Sequence, residues 1–504
     1  MLDKHLEYLR LIIGLAALGL AVPAAWPASA EGPPAGYPTT AIPGGDGTAA
    51  EAATTGAPTP RRVAAVIEDY VREGLNSNLV LANQSIEVAK GQAALAEARA
   101  RFFPELALSA RYTRAEGGRQ IVVPAGQLLN PVYQTLNDML AASGAAARFP
   151  PVADESIPLQ LTREQDTRVT LRQPLYAPAI AAGVAAARAN LSAADYARQA
   201  YQRELRRDIT VAYLEWLRAR DAVQIVAASE SLLAENLRVN QSLYDNGSNT
   251  RDVVLRARAE WLAAQQQQRE AANSADQARS YLNFLLNRPL DTALEPAGEL
   301  PADAPDPDIG GSADAGMPDP ASPALNARPD LLALDQAQQA AAAQLRAARA
   351  ARQPNLALGV DAGTEGVDYG IGHNYNFVTG SLVLSWTLFD AGARAAAISQ
   401  ARLAGAQLAN QRAQLAARIS LELQQARDNL RTAADSLDTA NAQAAAARAV
   451  FALASRRRDA GMASQLEYLD ARSELTRAEL NRNTTHFSLL ERESEYAYAR
   501  GDPP

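Results

Sequence analysis

Apolar and polar residues alternate in four segments of about ten residues each. At 105–114, Leu106 and Leu108 alternate with Ala107 and Ser109, and a period of two is typical of a β-strand whose two faces differ. The same pattern predicts strands at about 167–176, 355–364 and 377–388. The apolar side chains that we expect on one face of these strands are Leu106, Leu108, Leu171, Leu356, Leu358, Leu382, Leu384 and Trp386.

Strands of this length fit two environments. A tilted strand of about ten residues can cross a bilayer with its apolar face toward lipid. The alternative is an amphipathic sheet packed on helices in a soluble domain. Four strands cannot close a barrel, and an open edge in lipid leaves backbone groups unpaired at a cost of several kcal/mol each. A membrane sheet therefore requires further copies of the chain, with two copies giving eight strands and three giving twelve.

The segments between the strands have a helical period. From about 391 to 457 there is no proline, and apolar residues follow a strict spacing of three and four: Leu423, Ala426, Leu430, Ala433, Leu437, Ala440, Ala444, Ala447, Phe451 and Ala454. This heptad pattern predicts a helix roughly 100 Å long that packs along a neighbour. Further helices are predicted at about 77–102, 179–244, 250–286, 329–352 and 463–499.

These parts occur twice in the same order. FPELALS at 103–109 returns as QPNLALG at 353–359, and DNGSNTRDVVLRARAE at 245–260 returns as DAGMASQLEYLDARSE at 459–474. Such self-similarity indicates a tandem repeat. We predict a first repeat at 63–294 and a second at 327–500, separated by a linker at 295–326 that is rich in proline and acidic residues.

The N-terminal residues have the features of a secretory signal peptide. Lys4 and Arg10 precede an apolar run at 11–25, and small residues at 28–30 fit a cleavage site. We predict a signal peptide at 1–30 and a flexible linker at 31–62, with a retained membrane anchor as the alternative. The chain has no cysteine, which excludes a lipoprotein anchor, disulfides and thiolate metal sites.

Charge and composition exclude several functions. The net charge is −8, so the basic surface that nucleic acid binding needs is missing. The three histidines are scattered and the sequence has no nucleophile elbow. We therefore expect no enzyme activity, no cofactor and no metal.

A set of short phrases in this order resembles the TolC-like outer membrane efflux proteins from about 63 to 500. The phrases are RPDLLAL at 328–334, LFDAG at 388–392 and LNFLLNRPLDTALE at 282–295. The resemblance implies a mainly α fold with four strands per chain. Three copies would form a twelve-stranded transmembrane β-barrel, continued by a long α-helical tunnel through the periplasm.

The resemblance also implies a function and partners. A homotrimer in the outer membrane would pass substrates from an inner membrane pump and a periplasmic adaptor (membrane fusion protein), as in type I secretion or multidrug efflux. Drugs, metal ions and proteins all remain open as substrates. The alternative function is a periplasmic coiled-coil adaptor or scaffold without a barrel.

The same resemblance supplies candidate site residues at the helix turns. Gly247 and Gly461 stand where glycine ends a helix in left-handed geometry, and they would mark the periplasmic tips. Glu467 and Asp470 share a helix face and match the entrance carboxylates of the family, although a solvated acidic face is the alternative. Asp252 and Arg458 form a candidate gate pair, with a solvated basic run at 456–458 as the alternative.

The long loop at 115–165 departs from the family pattern. Asn130 is a candidate helix cap and Pro131 a candidate first residue of a short helix. We expect this loop either to lie at the outer rim, across the barrel mouth or against a neighbouring subunit, or to be a disordered surface loop.

Overall fold

Long helices make up most of the computed structural model, which describes residues 62–297, 327–367 and 375–501, all within the unit Thr59–Pro504. The predicted signal peptide 1–30, residues 31–61 of the predicted linker and residues 298–326 of the second linker lie outside the described residues. The described elements are, in chain order, α1 (Val63–Ser77), α2 (Leu79–Ala100), β1 (Glu105–Arg114), β2 (Gln120–Val123), α3 (Ala125–Ala142), β3 (Glu155–Pro158), β4 (Arg163–Tyr176), α4 (Pro178–Asp245), α5 (Arg251–Leu285), α6 (Pro329–Ala350), β5 (Asn355–Gly366), β6 (Asn376–Ser385), α7 (Ala393–Asp459) and α8 (Gln465–Arg500).

Two long helical hairpins, α4–α5 and α7–α8, confirm the four predicted long helices, with ends that differ by at most two residues. The heptad positions of α7 are buried against α8 as expected, except that Phe451 is half-buried. Alanine at many of these positions lets the two helix backbones approach closely. None of the described helices combines the length and the apolar character needed to cross a membrane.

The predicted helix 77–102 is α2 (Leu79–Ala100) in the structure, and a separate helix, α1 (Val63–Ser77), precedes it. Asn78 separates α1 from α2, because its Oδ1 accepts hydrogen bonds from the amides of Val80 and Leu81 at 2.9 and 3.0 Å and so caps α2. Gly74 lets α1 approach α4, since a Cβ at this position would collide with Ile209. The helix α1 was not predicted.

The largest apolar core lies where α1, the C-terminal end of α5, the C-terminal half of α8 and the middle of α4 meet. Tyr213 and Phe487 are fully buried at its centre. The Tyr213 hydroxyl donates to the carbonyl of Glu295 at 2.9 Å and accepts from the amide of Ala297 at 3.1 Å. These two bonds fix the chain that leaves the first repeat.

Four antiparallel strands form one sheet in the order β1-β4-β5-β6. The predicted bounds of β1 are confirmed. Strand β4 begins at Arg163 rather than 167, because Arg114 and Arg163 still pair across the hairpin. Strand β6 ends at Ser385 rather than 388, because Arg394 Nη1 donates to the carbonyl of Thr387 at 2.5 Å and the chain leaves the sheet. Trp386 therefore lies just beyond the strand.

The prediction for the loop at 115–165 was wrong about its helix. Helix α3 begins at Ala125, so Pro131 lies inside it and Asn130 is not its cap. Asn130 instead bonds to the backbone of Val152, a partner 22 residues away along the chain. A second, two-stranded sheet, β2–β3, connects α3 to the main sheet.

Candidate functional site

The strand register places the predicted apolar side chains on one face of the main sheet. Leu106 is opposite Leu171, and Leu358 and Leu356 are opposite Leu382 and Leu384. Leu171 is in turn opposite Val360, and directly opposed residues share a face. The side chains on the outer strands are widely exposed, with 69% for Leu106 and 66% for Leu382, whereas those on the inner strands are half-buried by their neighbours.

The opposite face of the sheet is polar and hydrogen-bonded. Arg168 Nε donates to Asp166 Oδ1 at 2.8 Å, and the Arg168 guanidinium lies 5.5 Å from the centre of the Phe377 ring. Thr170 donates to Asp361 at 2.5 Å on the neighbouring strand. The sheet therefore separates an apolar surface from a charged one across a single layer.

Trp386 and Leu388 extend the apolar surface beyond the end of β6, with exposed fractions of 57% and 77%. The indole Nε1 of Trp386 donates to the carbonyl of Arg352 at 3.0 Å, which fixes the orientation of the ring. An aromatic side chain with one polar atom suits the boundary between an apolar and a wet environment.

The two helical hairpins turn by the same backbone motif. In the first, Gly247 has φ +74°, and the amides of Gly247 and Ser248 donate to the carbonyls of Tyr244 and Leu243. In the second, Gly461 has φ +72°, and the amides of Gly461 and Met462 donate to Arg458 and Arg457. Both turns are Schellman motifs with glycine in the left-handed region, so the predicted turn geometry is confirmed.

Glu467 and Asp470 are both exposed in the first turns of α8. Ser464 caps this helix, because its hydroxyl accepts from the amide of Glu467 at 3.2 Å. Arg457 Nη1 lies 2.7 Å from Glu467 Oε1 and joins the two arms of the turn. This ion pair was not predicted, since the sequence gives three adjacent arginines and no means to choose between them.

Within one protomer, the described contacts do not join Asp252 to Arg458. The Arg458 guanidinium lies 3.8 Å from the centre of the Tyr468 ring and 3.4 Å from Asp459 Oδ1. A hydrogen bond from the Thr250 side chain, together with the Asp252 and Val253 backbone amides and the charge of Arg256, lowers the pKa of Asp252. A gate formed by Asp252 and Arg458 would therefore have to form between protomers.

Buried polar side chains line the contact between α4 and α8, in the part of these helices next to the two turns. Ser229 is within hydrogen-bond distance of Thr476 at 3.1 Å, and Gln465 donates to Asn236 at 2.9 Å. Arg472 is 5% exposed, and burial lowers its pKa. These residues were missed, although Ser229, Leu233, Asn236 and Asn240 follow a 4-3-4 spacing with polar residues at three of four positions. Buried polar residues at heptad positions fix the register of two helices.

Comparison with protein families identifies the chain. The family model described as outer membrane efflux protein matches residues 71–288 and 321–494, which is most of the sequence. The chain belongs to the outer membrane efflux protein family. A curated relative is the alkaline protease secretion protein AprF of Pseudomonas aeruginosa, which is 35% identical over 89 residues, a match that covers 18% of this chain and 18% of AprF.

Solved structures of outer membrane channels share the fold. The CmeC channel of Campylobacter jejuni is 16% identical with a TM-score of 0.71, covering 92% of this chain and 94% of CmeC. The transmembrane channel CusC is 18% identical with a TM-score of 0.70, covering 90% of this chain and 99% of CusC. The predicted family and the mainly helical fold with antiparallel strands are confirmed.

Proposed function

We propose that this outer membrane efflux protein is the channel of a tripartite export system. Three copies would form a twelve-stranded barrel in the outer membrane and a helical tunnel through the periplasm. The channel would receive substrates from an inner membrane transporter through a periplasmic adaptor. The names of CmeC and CusC, both described as channels, support this proposal.

The proposal rests on the main sheet, which is apolar on one face and polar on the other. On its apolar face, Leu106, Leu108, Leu382 and Leu384 are 69%, 72%, 66% and 65% exposed, although helices of 67 and 68 residues are present. Among the residues that the structure describes, strands β1 and β6 each pair on one side only. An apolar face and two open edges are costly in a monomer, and both are satisfied when copies join edge to edge in lipid.

The glycine turns would be the periplasmic tips, with Glu467 and Asp470 at the entrance. Threefold symmetry would bring six carboxylates together, and a ring of like charges attracts cations. The Arg457–Glu467 ion pair would hold one carboxylate in place, while Asp470 extends from the next turn on the same face.

Conductance in planar lipid bilayers tests the proposal. We expect the purified protein to form cation-selective channels. The double substitution Glu467→Gln with Asp470→Asn should shift the reversal potential in a KCl gradient toward zero, because the entrance loses its negative charge.

Asp252→Ala with Arg458→Ala should raise the conductance if these residues form the gate pair between protomers.

Glu235→Gln is the matched control, since Glu235 is an exposed carboxylate on α4 that pairs with Arg238 away from the turns. Its reversal potential should equal that of the unmodified protein. Absence of any conductance would refute the channel. If channels form but the double substitution leaves the reversal potential unchanged, the proposed entrance role of Glu467 and Asp470 is refuted and the channel is not.

A further inference from the structure

The segment 115–162 is an ordered extension of the sheet. The amide of Ala115 donates to the carbonyl of Thr162 at 3.1 Å, and the amide of Leu159 donates to Arg119 at 2.9 Å. The hairpin of β1 and β4 thus continues into β2 and β3, where Ile121 is opposite Ile157. Helix α3 is carried at the end of this hairpin. We call residues 115–162 the insert.

One side of α3 is held by the insert's own chain through polar side chains. Asn130 donates to the carbonyl of Val152 at 2.8 Å and accepts from its amide at 2.7 Å. Asn137 donates to the carbonyl of Phe149 at 2.7 Å. Gly126 allows the close approach, because a Cβ there would collide with the Val152 carbonyl. The packed side of α3 therefore combines these asparagines with one aromatic contact, in which the Tyr133 ring centre lies 5.4 Å from that of Phe149.

A different side of α3 is apolar and exposed. Leu128 is 70% exposed, Val132 54% and Met139 67%. These residues follow helical spacing and form one stripe. A helix that uses asparagines inside and leucine, valine and methionine outside has the reverse of the usual arrangement, in which the apolar side is covered.

The charges of the insert indicate what kind of partner covers this stripe. The insert contains four acidic residues, two arginines and no lysine, and Asp138 is the sole charged residue of α3. An anionic lipid headgroup is recognised by clusters of lysine and arginine, which the insert does not have. A protein surface that is equally apolar and nearly uncharged fits better, and identical copies can meet here without strong repulsion.

The position of the insert indicates which protein surface covers the apolar stripe of α3. The insert follows β1 directly, and β1 is an edge strand of the sheet. In the trimer of the proposed function, this edge meets β6 of the next copy. Each insert would therefore stand at a subunit boundary, and the threefold axis would bring three inserts to the same end of the barrel.

We propose that the exposed stripe of α3, formed by Leu128, Val132, Leu136 and Met139, packs against the inserts of neighbouring copies of this chain. The inference rests on the proposed trimer and adds a second contact between its subunits, beyond the sheet. This contact buries the apolar stripe that the protomer leaves open.

Site-specific photo-crosslinking tests the contact. The photoreactive residue p-benzoylphenylalanine is placed at Val132, on the stripe, or at Gln134, which is exposed on the other side of the same helix. After irradiation of the detergent-solubilised protein, the Val132 probe should give covalent dimers. Mass spectrometry should locate the attachment within residues 115–162 of another copy. The Gln134 probe should not give these covalent dimers.

Native mass spectrometry of the same samples distinguishes failure of the insert contact from failure of the proposed trimer. An intact trimer in which the Val132 probe reacts only within its own chain, with detergent or with nothing would overturn the insert contact and leave the channel standing. Attachment to a different protein would overturn it as well. A monomer would overturn the proposed trimer and this contact together.

Discussion

At the scale of single residues, Glu493 is a carboxylate whose environment opposes its charge. It is half-buried on α8, and burial raises its pKa. A raised pKa in the folded state means that its contribution to stability is fully present below the pKa of the unfolded chain and is lost as pH rises through the folded pKa. At neutral pH the charged side chain therefore destabilises the fold.

We expect Glu493→Gln to raise the melting temperature at pH 7.5 and to have little effect at about pH 4, near the ordinary glutamate pKa. Glu235→Gln is the control with the opposite sign, because a hydrogen bond from Arg238 lowers the pKa of Glu235. Thermal denaturation in detergent at both pH values measures the difference. A lower melting temperature for Glu493→Gln at pH 7.5 would contradict the prediction and indicate a cationic partner.

Some residues at the helix turns could be predicted from the sequence, and others could not. Gly247 and Gly461 were predictable because a left-handed turn after a long helix has a strong preference for glycine. The Arg457–Glu467 ion pair and the stacking of Arg458 on Tyr468 were not, because neighbouring residues on one helix end differ only in their direction around the axis. Candidate roles for Glu467, Asp470, Asp252 and Arg458 at the entrance remain predictions.

At the scale of elements, the seam between α7 and α8 depends on small side chains. Ala444 is fully buried and Ala447 is 9% exposed, close to Leu475 and Ala478 of α8. A larger side chain at this seam would force the helices apart.

We expect Ala444→Leu to destabilise the protein by about 1–3 kcal/mol through overpacking. Ala445→Leu is the matched control, because Ala445 is the next residue on the same helix and is exposed. Its side chain points away from the seam, so the same added volume should have a much smaller effect. Equal loss of thermal stability in both variants would contradict close packing of these two helices.

Elements with a local signal were predictable, and those fixed by distant contacts were not. The bounds of β1 and the long helices follow from alternation, heptads and prolines, all of which are local in the chain. Helix α3 was misplaced because Asn130 finds its partner at Val152, a tertiary contact that overrides its preference for a cap. The early end of β6 depends on Arg394, which reaches the Thr387 carbonyl from the following helix.

At the scale of the whole molecule, the protomer has features that a complete soluble protein avoids. One face of its sheet exposes Leu106, Leu108, Leu382 and Leu384, and no described strand pairs with either edge of the sheet. The insert adds a second apolar surface on α3. The assembly proposed above, of several copies around a shared axis in lipid, would account for both surfaces.

Native mass spectrometry of the protein extracted from membranes tests this explanation most directly. We expect extraction to require detergent and the spectrum to show a single species with three times the mass of the mature chain. A stable monomer in aqueous buffer, with residues 382–385 of β6 protected from hydrogen exchange, would contradict a channel formed by three copies.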